Sequence, residues 1–163
     1  MGEEKRRKLS VEFYLEASLH NLAKWLRFFG YKAWICEKKL NLEEILKHRD
    51  KIFIVTSEET ARMLEKIGVN YLLIPRYDLK AQLNFLINRL NIIPELKLDI
   101  CSVCGQRLIE VEKEKIKDLV PERVFKLYDR FRLCPGCGRV YWQGDHIKRL
   151  KSKLKKILSR REE

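Results

Sequence analysis

The chain has 163 residues, with 35 Lys and Arg against 23 Asp and Glu, a formal net charge of +12. Hydrophobic residues make up 45% of it and Gly plus Pro only 11 positions, which excludes a disordered or fibrous protein. The longest apolar runs, 52–55 and 71–75, fall far short of the ~20 residues that span a bilayer, and residues 1–10 lack the apolar core of a signal peptide. A cytoplasmic protein with no membrane partner is the expectation.

Residues 1–10 read as a mobile charged arm. A short β run follows at 11–15, and Leu19, Leu22, Leu26 and Phe29 then recur at the spacing of an amphipathic helix that Gly30 ends. Residues 31–36 read as a second strand, and Asn41 caps a helix through Lys47 with Leu42, Ile45 and Leu46 on one face. The clearest buried strand is 51–56. Ser57 opens a helix with Ala61, Leu64 and Ile67 inward and Gly68 at its end, before a fourth strand at 70–75 and a fourth helix at 78–90. Strands separated by helical segments imply right-handed crossovers, so the expected fold class is α/β, a mostly parallel sheet with flanking helices. Pro94 marks a boundary, beyond which short strands, Gly turns and cysteines give way to a Lys-rich end. The predicted division is an arm at 1–10, an α/β domain at 11–94, a small zinc ribbon at 95–145 and a basic C-terminal helix at 146–163.

Two knuckles of the form C-x-x-C-G, at Cys101/Cys104 and Cys134/Cys137, carry the strongest chemical signal. Each turns the backbone so that both sulfurs face one point, and the glycine allows the tight exit. Four thiolates suit tetrahedral Zn²⁺ and leave no open coordination position, so the expected metal is structural. A pair of disulfides or a redox dithiol is the competing reading, but no thioredoxin-like context surrounds the first knuckle. Cys36, alone in an apolar stretch, reads as a small core residue.

In a doubly wound sheet, functional groups collect beyond the carboxyl ends of the strands. Glu16 follows the first predicted strand, Glu37 the second, and Glu58 and Glu59 the third, while Glu43 and Glu44 lie on the intervening helix. Converging carboxylates of this kind bind Mg²⁺ or Mn²⁺, which activate water and neutralise phosphate charge. Carboxylates in a first helical turn also favour the helix dipole with no catalytic role, and that alternative stays open.

The stretch 19–31 (LHNLAKWLRFFGY), the knuckle Cys101-Ser-Val-Cys104, Val120-Pro121 and the stretch 134–146 (CPGCGRVYWQGDH) together resemble one family. It is the PIN-like RNase domain with a C-terminal zinc ribbon, named from the C-terminal domain of an animal mutator-class exonuclease and common as a stand-alone protein in archaea and bacteria. The resemblance covers about 11–146 and implies a PIN-type fold and divalent-metal cleavage of RNA. The family usually places Asp after strand one and in a Thr-Arg-Asp segment after strand three; this chain has Glu16 and, in Thr56-Ser57-Glu58, Glu58. One extra methylene moves a carboxylate by ~1.5 Å, and displacements of ~1 Å cost about 100-fold in rate.

The terminal segment carries Lys148, Arg149, Lys151, Lys153, Lys155, Lys156, Arg160 and Arg161 around an apolar stripe of Ile147, Leu150, Leu154, Ile157 and Leu158. One face can dock on the protein while the other presents cations, to which Arg130, Arg132 and Arg139 add. Tyr141 and Trp142 are candidate base-stacking side chains, with packing in the ribbon core the alternative for Trp142, and His146 is a candidate for a phosphate contact or a ribbon-to-core hydrogen bond. With the charge and the resemblance, RNA is the expected partner, ribosomal RNA or the ribosome included. Two functions follow. One is a metal-dependent ribonuclease using Glu16, Glu58 and a third acid from Glu37, Glu43 or Glu44; the other is an RNA-binding or ribosome-associated factor in which the changed acids have weakened or ended catalysis. A protein-interaction module using the basic helix is a third reading.

Overall fold

The computed structural model describes residues 11–76 and 78–158. The charged arm expected at 1–10, Arg160 and Arg161 lie outside the described residues.

Four strands, β1 (Glu12–Glu16), β2 (Lys32–Cys36), β3 (Ile52–Val55) and β4 (Tyr71–Leu73), form a parallel sheet in the order β2-β1-β3-β4. Between and after them run α1 (His20–Phe28), α2 (Leu42–Lys47), α3 (Glu58–Ile67) and α4 (Leu79–Leu90). The pleat decides what each face buries. Phe13 and Leu15 of β1 enter one core with Leu22 and Leu26 of α1 and Leu83 and Leu86 of α4. Tyr14, pointing the other way, packs with Phe53, Val55, Cys36, Ile45 of α2 and Leu64 of α3. The sheet therefore has helices on both faces, and its chain order reverses direction between β1 and β3.

Local signals set the helix starts. The side chains of Asn41, Ser57 and Asp78 accept hydrogen bonds from the backbone N–H groups of Glu44, Thr60 and Ala81. These bonds occupy donors that a helix start leaves unpaired. The expected strands and helices stand in place, with the fourth strand shorter than its 70–75 pattern.

A second sheet of three antiparallel strands, β5 (Ile109–Val111), β6 (Phe131–Leu133) and β7 (Val140–Tyr141), follows in the order β5-β6-β7. The charged insertion between β5 and β6 is a 3₁₀ segment (Lys113–Leu119) and a short helix, α5 (Glu122–Leu127). The final helix, α6 (Asp145–Leu158), returns to the first sheet. Its Leu154 is buried in the core with Leu83 and Leu86, Leu150 and Ile157 pack against them, and Asn84 Nδ2 donates to the Ile157 carbonyl at 3.2 Å.

Arg27 of α1 joins the first sheet to the first cysteine knuckle. Only 7% exposed, its Nε and Nη2 donate to the Ala33 carbonyl of β2 at 3.0 and 2.6 Å. Its Nη1 donates to the carbonyls of Ser102 and Val103, inside the first cysteine knuckle, at 3.0 and 3.2 Å. Burial pulls its pKa below the usual range, and the neighbouring Cys101 and Cys104 sulfurs oppose that pull. A second tie runs beside it: the N–H groups of Lys97 and Leu98 donate to the Phe28 carbonyl, and Arg132 of β6 donates to the Leu98 carbonyl at 2.9 Å.

Hydrogen bonds from a charged donor contribute ~1.5–3 kcal/mol each, and a buried acceptor left alone costs ~1–3 kcal/mol. Arg27→Ala is therefore expected to lower unfolding free energy by about 3 kcal/mol or more in urea titrations. Arg27→Lys should recover little of it, since one ammonium cannot reproduce the planar fork. A loss below ~1 kcal/mol in Arg27→Ala would show that the docking does not depend on the guanidinium.

Candidate functional site

The two knuckles repeat one backbone design. The Cys101 N–H donates to the Gln106 carbonyl and the Gly105 N–H to the Cys101 carbonyl; the Cys134 N–H donates to Arg139 and the Gly138 N–H to Cys134, all between 2.8 and 2.9 Å. Gly105 and Gly138 have φ of +79° and +77°, a conformation that a side chain would strain. The four sulfurs lie within 4.8 Å of one another, with Cys101 to Cys137 at 3.7 Å and Cys104 to Cys134 at 3.1 Å, and the cysteines are free rather than bridged. An ion with Zn–S bonds of ~2.3 Å needs sulfur separations of about 3.8 Å. The cluster fits one metal ion such as zinc.

The electrostatics of the sulfurs agree. Burial opposes ionisation of Cys101, yet hydrogen bonds from the Tyr141 hydroxyl and from the Cys104 and Val103 amides outweigh it and bring the thiol down to about 6. Burial, with the Cys101 and Cys134 sulfurs alongside, pushes Cys104 up to about 12. One thiolate forms readily while its neighbour resists. A bound divalent cation supplies the positive charge that lets all of them ionise. The Tyr141 hydroxyl lies 3.0 Å from Cys101 Sγ, so this predicted base-stacking residue has its polar end committed to the cysteines.

The acids sit differently. Glu16, at the carboxyl end of β1, reaches across to β3 at the point where strand order reverses. Its Oε1 accepts from the Thr56 N–H at 2.6 Å, and its Oε2 from the Thr56 hydroxyl at 3.0 Å and from the Ser18 hydroxyl. Glu58, two residues beyond Thr56, opens α3 at the same end of the sheet and is exposed. Glu37 follows β2 there and lies 3.8 Å from His20 at the start of α1. Glu43 is exposed in the first turn of α2. Glu44 is turned onto the Tyr14 hydroxyl at 2.8 Å, with His48 Nε2 at 3.8 Å, and that bond holds its carboxyl below the ordinary value. Burial, then contacts with Cys36 and Glu44, keep the Tyr14 phenol protonated well above its usual range. Among the described residues, the four cysteines are the one group of three or more Cys, His, Asp or Glu within reach of a single ion.

The cations divide into two rows. At 100° per residue, Arg149, Lys153 and Lys156 fall on one flank of the buried stripe of α6 and Lys148, Lys151 and Lys155 on the other. Arg149 and Lys153 of the first flank, with His146, border a cleft of about 810 Å³ between α1, the three-stranded sheet and α6, which Lys156 does not line. Lys148, Lys151 and Lys155 do not line it, nor does Arg139 on the second knuckle. Trp142 does, standing between Phe131 and His146 at ring distances of 6.3 and 6.0 Å.

Sequence reasoning missed five participants. Thr56 as the partner of Glu16, Arg27 as a ligand of the knuckle backbone, and Lys24, Phe28 and Tyr128 as cleft walls all depend on contacts between distant segments. The 19–31 stretch holds Lys24, Arg27 and Phe28, and Thr56 stands in the Thr56-Ser57-Glu58 segment, but neither motif shows what these residues touch.

The model of the Mut7-C RNAse domain family matches residues 11–154, which takes in both sheets and most of α6. The chain belongs to this family, as the sequence motifs anticipate. No curated protein matches it. No helix among the described residues is long and apolar enough to cross a membrane.

Protein purified from zinc-supplemented medium is expected to hold one zinc per chain by elemental analysis. Cys101→Ser and Cys134→Ser should lose that stoichiometry, while Cys36→Ser should keep it, since Cys36 Sγ donates to the Lys38 carbonyl far from the cluster. An unchanged zinc content in the Cys101 and Cys134 variants would contradict the assignment.

Proposed function

We propose that the protein binds RNA through the basic surface where the zinc-ribbon sheet meets α6. The observation that carries the reading is the exposed row of Arg149 and Lys153, which have no ion-pair partner among the described residues and line the same cleft as Tyr128 and Trp142. Cations held this way neutralise phosphates and release counterions. The family match supports RNA as the polyanion. RNA, ribosomal RNA included, is the expected target, and the zinc holds a structural position.

A second reading, a PIN-like metal-dependent ribonuclease, is favoured by the family and by the gathering of Glu16, Glu37 and Glu58 at the carboxyl edge, where such folds place their chemistry. Mg²⁺ or Mn²⁺ held by Glu16, Glu37 and Glu58 would supply an activated water and charge neutralisation. The acids as placed do not fit that ion: Glu16 spends three acceptor positions on Thr56 and Ser18, and no third carboxylate shares its reach among the described residues. RNA binding with weak or absent cleavage is therefore the conclusion.

Because Ile147 and Leu154 belong to the core, substitution of the cations tests the surface more cleanly than removal of α6. Arg149→Ala with Lys153→Ala should weaken RNA binding and flatten the dependence of log Kd on log salt by about 1–2, measured by fluorescence anisotropy. Incubation of labelled RNA with Mg²⁺, Mn²⁺ or EDTA should show retention without efficient cutting. Metal-dependent cleavage lost in both Glu16→Ala and Glu58→Ala would establish the ribonuclease instead. Absence of RNA binding at low salt would leave the protein-interaction reading.

A further inference from the structure

The cleft between α1, the three-stranded sheet and α6 has walls of two kinds. Phe28 forms part of its apolar side with Tyr128 and Trp142, and Lys24, Arg149 and Lys153 border it. At about 810 Å³ it falls in the range of ~300–1,000 Å³ typical of cavities that enclose a small ligand, and it is far too confined for a double helix. Its charge is one-sided. Of its two acids, Asp129 is paired with Lys113 at 3.5 Å, which leaves Glu110 against Lys24, Arg130, Arg149 and Lys153. None of those four cations has an ion-pair partner among the described residues. Lys24 rests over the Phe28 ring at 5.8 Å, so an aromatic face and a cation are already adjacent at the mouth.

Aromatic faces beside unpaired cations recognise a planar base attached to a phosphate, because every base has a stackable face and each linkage a negative charge. An apolar peptide would leave the cations without partners, and a folded duplex keeps its base faces stacked inside. We propose that this cleft receives unpaired nucleotides of a single strand, with bases against Tyr128 and Trp142 and phosphates along Lys24, Arg149 and Lys153. The proposal rests on the RNA-binding reading and narrows it: the ribbon and α6 select for unpaired RNA. The far row of Lys148, Lys151 and Lys155 then acts as a general attraction with no preference between paired and unpaired forms. Trp142 is held in place by Phe131 and His146, while Tyr128 follows α5 and is half-exposed, so Tyr128 is the safer residue to remove.

The test uses the full-length zinc-loaded protein and three fluorescein-labelled probes: an unstructured 12-nucleotide RNA, its blunt duplex, and an abasic strand of equal length. The unstructured strand should bind at least tenfold more tightly than the duplex. Tyr128→Ala should weaken the base-bearing strand about tenfold and leave the abasic strand unchanged. Lys24→Glu with Lys153→Glu should weaken both single strands, whereas Lys151→Glu with Lys155→Glu should weaken all three probes alike and keep the preference. Unaltered zinc content and melting temperature confirm that the variants fold. Equal affinity for duplex and single strand, or a Tyr128→Ala variant that binds the base-bearing strand as the wild type does, overturns the cleft assignment while RNA binding itself stands. If the wild type binds none of the probes at low salt, the RNA-binding reading falls and this one with it.

Discussion

The Arg27 guanidinium spans two parts of the chain that meet nowhere near each other in sequence. Its fork closes on Ala33 at one side and on Ser102 and Val103 at the other, so the body's edge strand and the first cysteine knuckle share a single buried charge. A buried cation is costly unless its donors are matched. Here four bonds to three carbonyls match them, and the sulfurs of Cys101 and Cys104 add favourable field from the knuckle side. This contact, with the ties of Lys97 and Leu98 to Phe28 and of Arg132 to Leu98, holds the ribbon against the body and so shapes the walls of the cleft.

The molecule thus has two candidate chemical surfaces with different characters. The carboxyl edge of the parallel sheet gathers acids at the point where strand order reverses, but its central acid is turned inward onto Thr56 and Ser18. That clasp ties β1 to β3 and uses the longer reach of glutamate. The opposite character appears at the seam between ribbon and body, where the helix α6 buries one stripe beside Leu83 and Leu86 and leaves its flanks to cations. Stability and recognition are separated on that helix: Ile147 and Leu154 hold it down, and Arg149 and Lys153 face outward.

Much of this was legible in the residues. Alternation of short apolar runs with helical stripes placed β1 to β4 and α1 to α4 because both periodicities are local, and Asn41, Ser57 and Asp78 act within three residues of themselves. The cysteine spacing identified the four-sulfur cluster because each knuckle is a self-contained turn. What was not legible is long-range. Tyr14 meets Glu44 across 30 positions and Arg27 meets Ser102 across 75, so no pattern of spacing reports either. The same limit explains why the cations of α6 read as one patch: the helical stripe was evident, but which flank would face a cleft depended on where the ribbon docked.

Arg27 couples the cysteine cluster to the body, and hydrogen–deuterium exchange before and after chelation reads that coupling directly. Removal of the metal should speed exchange in the knuckles around residues 101–106 and 134–139, and also in the amides of β2 and the C-terminal turn of α1. Faster exchange confined to the knuckles and the three-stranded sheet, with β2 and α1 protected as before, would contradict it.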